Sequence, residues 1–206
     1  MEGIEGSGKT TQGRALKTAL EKKGHACILT REPGGTFLGE KIRAILLDPA
    51  HTELAPAAEL LLYTADRLQH VRTVINPALA AGHIVICDRY FDATLAYQGY
   101  GRGLDIALIR NLHQLLLNGL TPDLTLLLDL TPQTGLARAW QAIDSGGRAP
   151  DETRFENEAI AFHDRVRQGY LTLAHAAPER FCIIDGAQEA DRVTAALLEA
   201  VFQKLR

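Results

Sequence analysis

Four short, almost unbroken apolar runs punctuate the chain, at Ala26–Thr30, His83–Asp88, Leu124–Leu130 and Phe181–Asp185. Runs of this length without polar alternation predict parallel strands covered on both faces. Between them lie stretches with helical spacing of apolar positions, at Lys9–Lys23, Leu38–Leu47, Pro56–Val74, Leu104–Leu117, Gln133–Ile143, Glu156–Ala174 and Ala190–Leu205. Strand–helix alternation predicts an α/β fold, a parallel sheet flanked by helices with right-handed crossovers. Ligands in such sheets bind beyond the carboxyl ends of the strands. The polar residues gather there: Arg31-Glu32, Asp88-Arg89 and Asp185 each end a run.

At 206 residues the chain predicts one domain with a substantial core. Its 46% hydrophobic and 23% charged residues are ordinary globular values, and a net charge of −3 argues against a nucleic-acid-binding surface. No apolar run approaches a membrane span, and we expect a cytoplasmic location. Cys27, Cys87 and Cys182 each sit in an apolar run and predict reduced thiols, while seven histidines without ligand spacing give a zinc site little support.

Gly3-Ile4-Glu5-Gly6-Ser7-Gly8-Lys9-Thr10 matches the phosphate-binding loop pattern G-x-x-x-x-G-K-[ST] at every constrained position. Its glycines allow backbone N–H groups to converge on an anion, and the following helix points its positive dipole end at the same place. Lys9 reaches outer phosphates, and Thr10 offers a hydroxyl to Mg²⁺. Only Met1-Glu2 precedes Gly3, where a buried strand is expected, so either the natural chain begins upstream, the reading we favour, or the central strand is truncated. Asp88, closing an apolar strand, suits the second Mg²⁺-directed acid, although a carboxylate there also caps turns.

Beyond the loop the spacing is suggestive. If the segment after Arg89 is helical, Thr94 and Gln98 share a face with Tyr97 beside them. Tyr63 and Arg67 repeat an i,i+4 pairing that suits stacking on a base and bonding its edge, or an ordinary cation–aromatic pair. Arg31 and Arg43 add charge for a second phosphorylated substrate. The segment at about 144–156, containing Arg148 and Arg154, reads as a lid or as a solvated connector.

Glu2–Gln12, Thr30-Arg-Glu-Pro-Gly-Gly-Thr36, Asp88-Arg-Tyr90, Ala96-Tyr-Gln-Gly99, Pro122-Asp-Leu-Thr125 and Arg167-Gln-Gly-Tyr170 resemble the thymidylate kinase family along nearly the whole chain. That resemblance implies a three-layer P-loop NTPase fold with a five-stranded parallel sheet, its first strand largely missing from this chain. It implies Mg²⁺-dependent phosphoryl transfer from ATP to dTMP in dTTP synthesis, and a homodimer. ATP is then expected on Gly3, Ile4, Glu5, Gly6, Ser7, Gly8, Lys9, Thr10 and Thr11, with the metal at Thr10 and Asp88. Glu5 lies near the acceptor sugar and phosphate. Arg43 and Arg89 hold the monophosphate, Pro33 lines the pocket, Tyr63 stacks on thymine, and Arg67, Thr94 and Gln98 read the base. Tyr97 crowds the 2′ position. The variable loop positions Ile4 to Ser7 carry no cation, which resembles the bacterial arrangement with catalytic arginines in the lid. The expected catalytic set is therefore Lys9, Arg89, Arg148 and Arg154. Kinases of other nucleotides or nucleosides and nucleotide-dependent switches are the rival classes, and no Asn-Lys-x-Asp element of a guanine reader is present.

Overall fold

A computed structural model describes residues 1–147 and 149–205. The apolar runs form four strands: β1 (Cys27–Arg31), β2 (Ile84–Asp88), β3 (Thr125–Asp129) and β4 (Phe181–Asp185). They pair in parallel as β1 with β2, register Cys27 to Ile84, and β3 with β4, register Thr125 to Phe181. Met1 and Glu2 lie between the pairs. The Met1 nitrogen donates to Cys87 O at 2.9 Å and Met1 O accepts from Arg89 N at 2.9 Å. On the other side Glu2 N donates to Leu126 O at 2.8 Å and Glu2 O accepts from Leu128 N at 2.9 Å. The central position is thus held by a single parallel bridge from Glu2 to Leu127, not by a fifth full strand.

Nine α-helices are formed among the described residues: α1 (Lys9–Lys22), α2 (Phe37–Leu47), α3 (Pro56–His70), α4 (Asn76–Ala80), α5 (Phe91–Thr94), α6 (Ile106–Leu117), α7 (Pro132–Asp144), α8 (Ile160–Ala176) and α9 (Ala190–Lys204). Two π-helical segments, Val71–Ile75 and Leu95–Gly101, interrupt the pattern. The first divides the long helix expected over Pro56–Val74. The second carries the segment after Arg89, where regular i,i+4 geometry gives way to a wider turn, a departure that often sits at functional sites. Helix α8 begins four residues later than its apolar spacing suggests, because residues 154–157 form turns instead.

Side-chain alternation on β3 shows why its run is continuously apolar. Leu126 and Leu128 enter a core with Leu16 and Leu20 of α1 and Val193 and Leu197 of α9. Leu127 faces the opposite core, with Leu46, Leu60, Ile109, Val166 and Tyr170. Both faces of the strand are covered, which produces three layers. The carboxyl ends of all four strands then fall on one edge, where Arg31, Asp88, Asp129 and Asp185 stand.

Candidate active site

One continuous cavity of about 710 Å³ opens at that edge. One wall is the loop before α1. Gly6 and Gly8 have φ of +67° and +91°, values at which a side chain is strained, and Gly8 caps α1 directly. Lys9 is buried, and its Nζ donates to Gly3 O at 2.9 Å, Ile4 O at 2.8 Å and Ser7 Oγ at 3.2 Å. Burial, with the Arg89 cation adding to it, pushes the Lys9 amine down to about 8. Gly135 at the start of α7 backs the loop so closely that a Cβ there would lie 2.5 Å from Glu5 O.

Glu5 joins the two halves of the cavity. Its Oε1 accepts from Arg89 Nη2 at 2.9 Å and from the Tyr97 hydroxyl at 2.6 Å, and its Oε2 lies 3.1 Å from His163 Nδ1. Burial favours the neutral acid, but His163, Arg89 and Lys9 outweigh it and hold the carboxyl well below its usual range. Arg89 has φ of +66°, uncommon outside glycine, which turns its side chain from β2 toward Glu5 and over the Tyr97 ring at 4.7 Å. At the mouth the Thr10 hydroxyl donates to Asp88 Oδ2 at 2.8 Å. A hydroxyl and a carboxylate side by side form a hard-oxygen pair that fits Mg²⁺.

The far wall combines Pro33, Arg43, Tyr63, Arg67, Thr94 and Gln98. Arg67 is nearly fully buried. Its Nε donates to Glu32 Oε2 at 2.8 Å, and its Nη2 to Tyr90 O at 3.2 Å and Thr94 Oγ1 at 2.8 Å. Arg43 grips Glu152 of the 144–156 segment in a two-pronged pair, Nε to Oε1 at 2.7 Å and Nη2 to Oε2 at 2.6 Å. Gln98 Nε2 donates to Glu59 Oε1 at 2.7 Å.

Of the residues singled out from the sequence, Glu5, Gly6, Ser7, Gly8, Lys9, Thr10, Thr11, Pro33, Arg43, Tyr63, Arg67, Asp88, Arg89, Thr94, Tyr97 and Gln98 line this one cavity. Gly3 and Ile4 sit behind the loop as carbonyl acceptors for Lys9. Arg154 is not among the lining residues. It is buried, its Nη2 donates to Glu59 Oε2 at 2.7 Å, and its Nε donates to Leu46 O. Arg148 lies outside the described residues. Arg14, Arg138 and Phe155, which the sequence did not single out, also line the cavity. Glu59 was missed too, and Glu2 and Glu32 were named without a role. Each is a buried carboxylate that orders neighbours, and the visible signal was only an acid within an otherwise inward-facing stretch.

Glu32, His70 and Cys87 converge as a possible ligand set. Both His70 ring nitrogens are already engaged, Nδ1 with Glu32 at 2.8 Å and Nε2 with Thr30 Oγ1 at 2.7 Å, and Arg67 balances the carboxylate. The set orders the far wall and is assigned no metal.

A phosphate-binding loop facing a second polar wall, joined through one carboxylate, defines a P-loop NTPase with room for two ligands. The sequence model described as thymidylate kinase matches residues 1–197. The thymidylate kinase of Solidesulfovibrio magneticus is 55% identical, over 99% of this chain and 98% of that one. The corresponding enzyme of Desulfosudis oleivorans is 53% identical, over 98% and 94%. The crystal structure of thymidylate kinase from Ehrlichia chaffeensis superposes with a TM-score of 0.75 at 33% identity, covering 98% of this chain and 95% of that one. The chain belongs to the thymidylate kinase family. Its members are nucleoside monophosphate kinases that transfer a phosphoryl group from ATP to dTMP.

Proposed function

We propose that the two walls of the cavity are the donor and acceptor sites for in-line transfer of the ATP γ-phosphoryl group to the 5′-phosphate of dTMP. The observation that carries this reading is Glu5. It belongs to the phosphate loop and at the same time bonds Arg89 and Tyr97 of the opposite wall. The acceptor is already a phosphate oxygen anion, so catalysis needs alignment and charge neutralisation more than a base.

In this mechanism the loop amides and Lys9 hold the donor phosphates, and Lys9 exchanges its carbonyl partners for phosphate oxygens. Arg89, fixed by Glu5 and Tyr170, binds the acceptor phosphate beside the transferring group, while Arg43 exchanges Glu152 for the same phosphate. Thr10 and Asp88 would hold Mg²⁺, which when bound screens the β- and γ-phosphate charge. Tyr63 stacks on the base, Arg67, Thr94 and Gln98 meet its edge, and Tyr97 limits the sugar to the deoxy form. Arg154, with its buried anchorage, secures the 144–156 segment to α3 as well as supplying charge. Arg148 is the lid cation proposed for the transferring phosphoryl group, on its place in the sequence.

The protein acts as a homodimer in this account. Leu61 and Leu68 of α3 and Leu108, Leu115 and Leu116 of α6 expose the apolar surface that a second copy would cover. Three free cysteines support a reducing, cytoplasmic setting, and no described helix is long and apolar enough to cross a membrane. Arg89→Ala tests the mechanism. It should lower kcat with dTMP by roughly 100-fold or more while ATP affinity stays within about threefold. An unchanged kcat would remove Arg89 from the reaction centre.

A further inference from the structure

Glu59 of α3 is fully buried and serves no step of the reaction described above. Three residues converge on it. Arg102 donates to Oε1 at 3.3 Å and Oε2 at 3.2 Å, and Arg154 Nη2 donates to Oε2 at 2.7 Å. Gln98 supplies the last bond, Nε2 to Oε1 at 2.7 Å. Both oxygens of Glu59 accept from guanidinium groups, which makes it an acceptor on every side. Gln98 must therefore turn its amide NH₂ toward Glu59, and a reversed amide would set two acceptors against each other in the interior. The other arm, Gln98 Oε1, is left for the cavity that Gln98 lines, with no protein donor upon it among the described residues.

Arg67 completes the pattern. Its Nε and Nη2 are engaged with Glu32, Tyr90 and Thr94, whereas Nη1 has no acceptor among the described residues. Gln98 and Arg67, both lining the cavity, thus keep one acceptor atom and one donor atom without a protein partner among the described residues. Thymine carries a matching edge, a carbonyl at ring position 4 beside an N–H at position 3. Cytosine inverts both groups, an amino group beside a bare ring nitrogen.

We propose, on the footing that this cavity takes dTMP, that Glu59 is a positioning residue for base selection. It locks the Gln98 amide with its oxygen toward the base and so excludes 4-amino pyrimidine nucleotides. It touches no substrate. It acts through Gln98, and the two arginines that pair with it belong to the same device.

The test compares kcat/KM for dTMP and dCMP in wild-type protein and in Glu59→Gln. A neutral amide at position 59 can donate or accept, so Gln98 is free to reverse. The dTMP-to-dCMP ratio should fall by roughly 10- to 100-fold, and the same change in a Gln98→Leu background should leave the ratio within about twofold. An equal loss on both substrates, with the ratio unchanged, would overturn the assignment and mark Glu59 as merely structural. If the single variant does not fold, Glu59→Gln with Arg102→Gln removes one cation together with the anion and is read in the same way. On unaltered protein, dTMP methylated at ring N3 should compete with dTMP at least roughly 30-fold more weakly than dTMP itself. Equal competition would also overturn the assignment. Wild-type protein that fails to phosphorylate dTMP at all would contradict the kinase reading itself, an outcome distinct from all of these.

Discussion

Lys9 meets its surroundings at a cost. With its amine pushed down to about 8, it is charged below that pH and increasingly neutral above it. In the proposed mechanism ATP binding draws on the charged form, so the dissociation constant for ATP should rise as pH climbs from 7 to 9.5, by up to about tenfold per unit above 8. A flat profile over that range would show that the loop amides alone hold the phosphates. Asp66 shows the opposite sign. Burial, and then the neighbouring Glu32 carboxylate, raise it to about 6, and its Oδ2 has no hydrogen-bond partner. A carboxyl raised on folding binds more protons in the native state, so its contribution falls as pH rises from the unfolded value near 4 through 6. Asp66→Asn should raise Tm at pH 7.5 relative to wild type by clearly more than at pH 5, and equal shifts at both would refute that account. At this scale the sequence was most readable where a side chain faces the cavity, as with Tyr63, Arg67, Thr94 and Gln98. The roles of the ordering acids Glu2, Glu32 and Glu59 were not, because their partners come from segments far along the chain, such as Tyr170 for Glu2 and Arg154 for Glu59.

The elements place these side chains through close contacts and unusual turns. The existence and kind of all four strands and of the longer helices followed from apolar spacing, while the short α4 and α5 did not. The π-helical segment at Leu95–Gly101 did not, because hydrogen-bond register in a buried helix is decided by packing that spacing does not encode. Gly135 illustrates the tightness. A methyl group there meets Glu5 O at 2.5 Å and Ile4 Cδ1 at 3.0 Å, so the loop or α7 must move. Gly135→Ala should lower stability by about 1–3 kcal/mol and raise KM for ATP more than KM for dTMP. Thermal unfolding and steady-state kinetics would check both. The 144–156 segment is fastened at two points, Glu152 on Arg43 and Arg154 on Glu59. Glu152 occupies the Arg43 guanidinium that the proposed mechanism gives to the acceptor phosphate. Glu152→Ala should therefore lower KM for dTMP severalfold, while an increase would show that the pair assists binding. Arg154→Ala leaves Glu59 short of a buried cation, and should cost about 3 kcal/mol in unfolding free energy as well as kcat. A variant with unchanged Tm would argue against the anchoring role.

Across the whole molecule, the parallel strands bring Arg31, Asp88 and the loop before α1 to one edge, and the helices on that side supply the far wall of the cavity. Strand–helix alternation made this edge legible in advance. The central position of the sheet was not. The sequence predicted a first strand largely missing, but not that Met1 and Glu2 alone bond to both β2 and β3 in its place. Shared packing of the two walls predicts that donor and acceptor bind to one site, so nucleotide turnover should depend on a monophosphate. The most direct measurement is ADP release from ATP in the presence, one at a time, of dTMP, dUMP, dCMP, dGMP, AMP and thymidine. The account predicts that dTMP gives the highest kcat/KM and that release without an acceptor is negligible. Release that ignores the acceptor, or that is led by any other member of the panel, would contradict it.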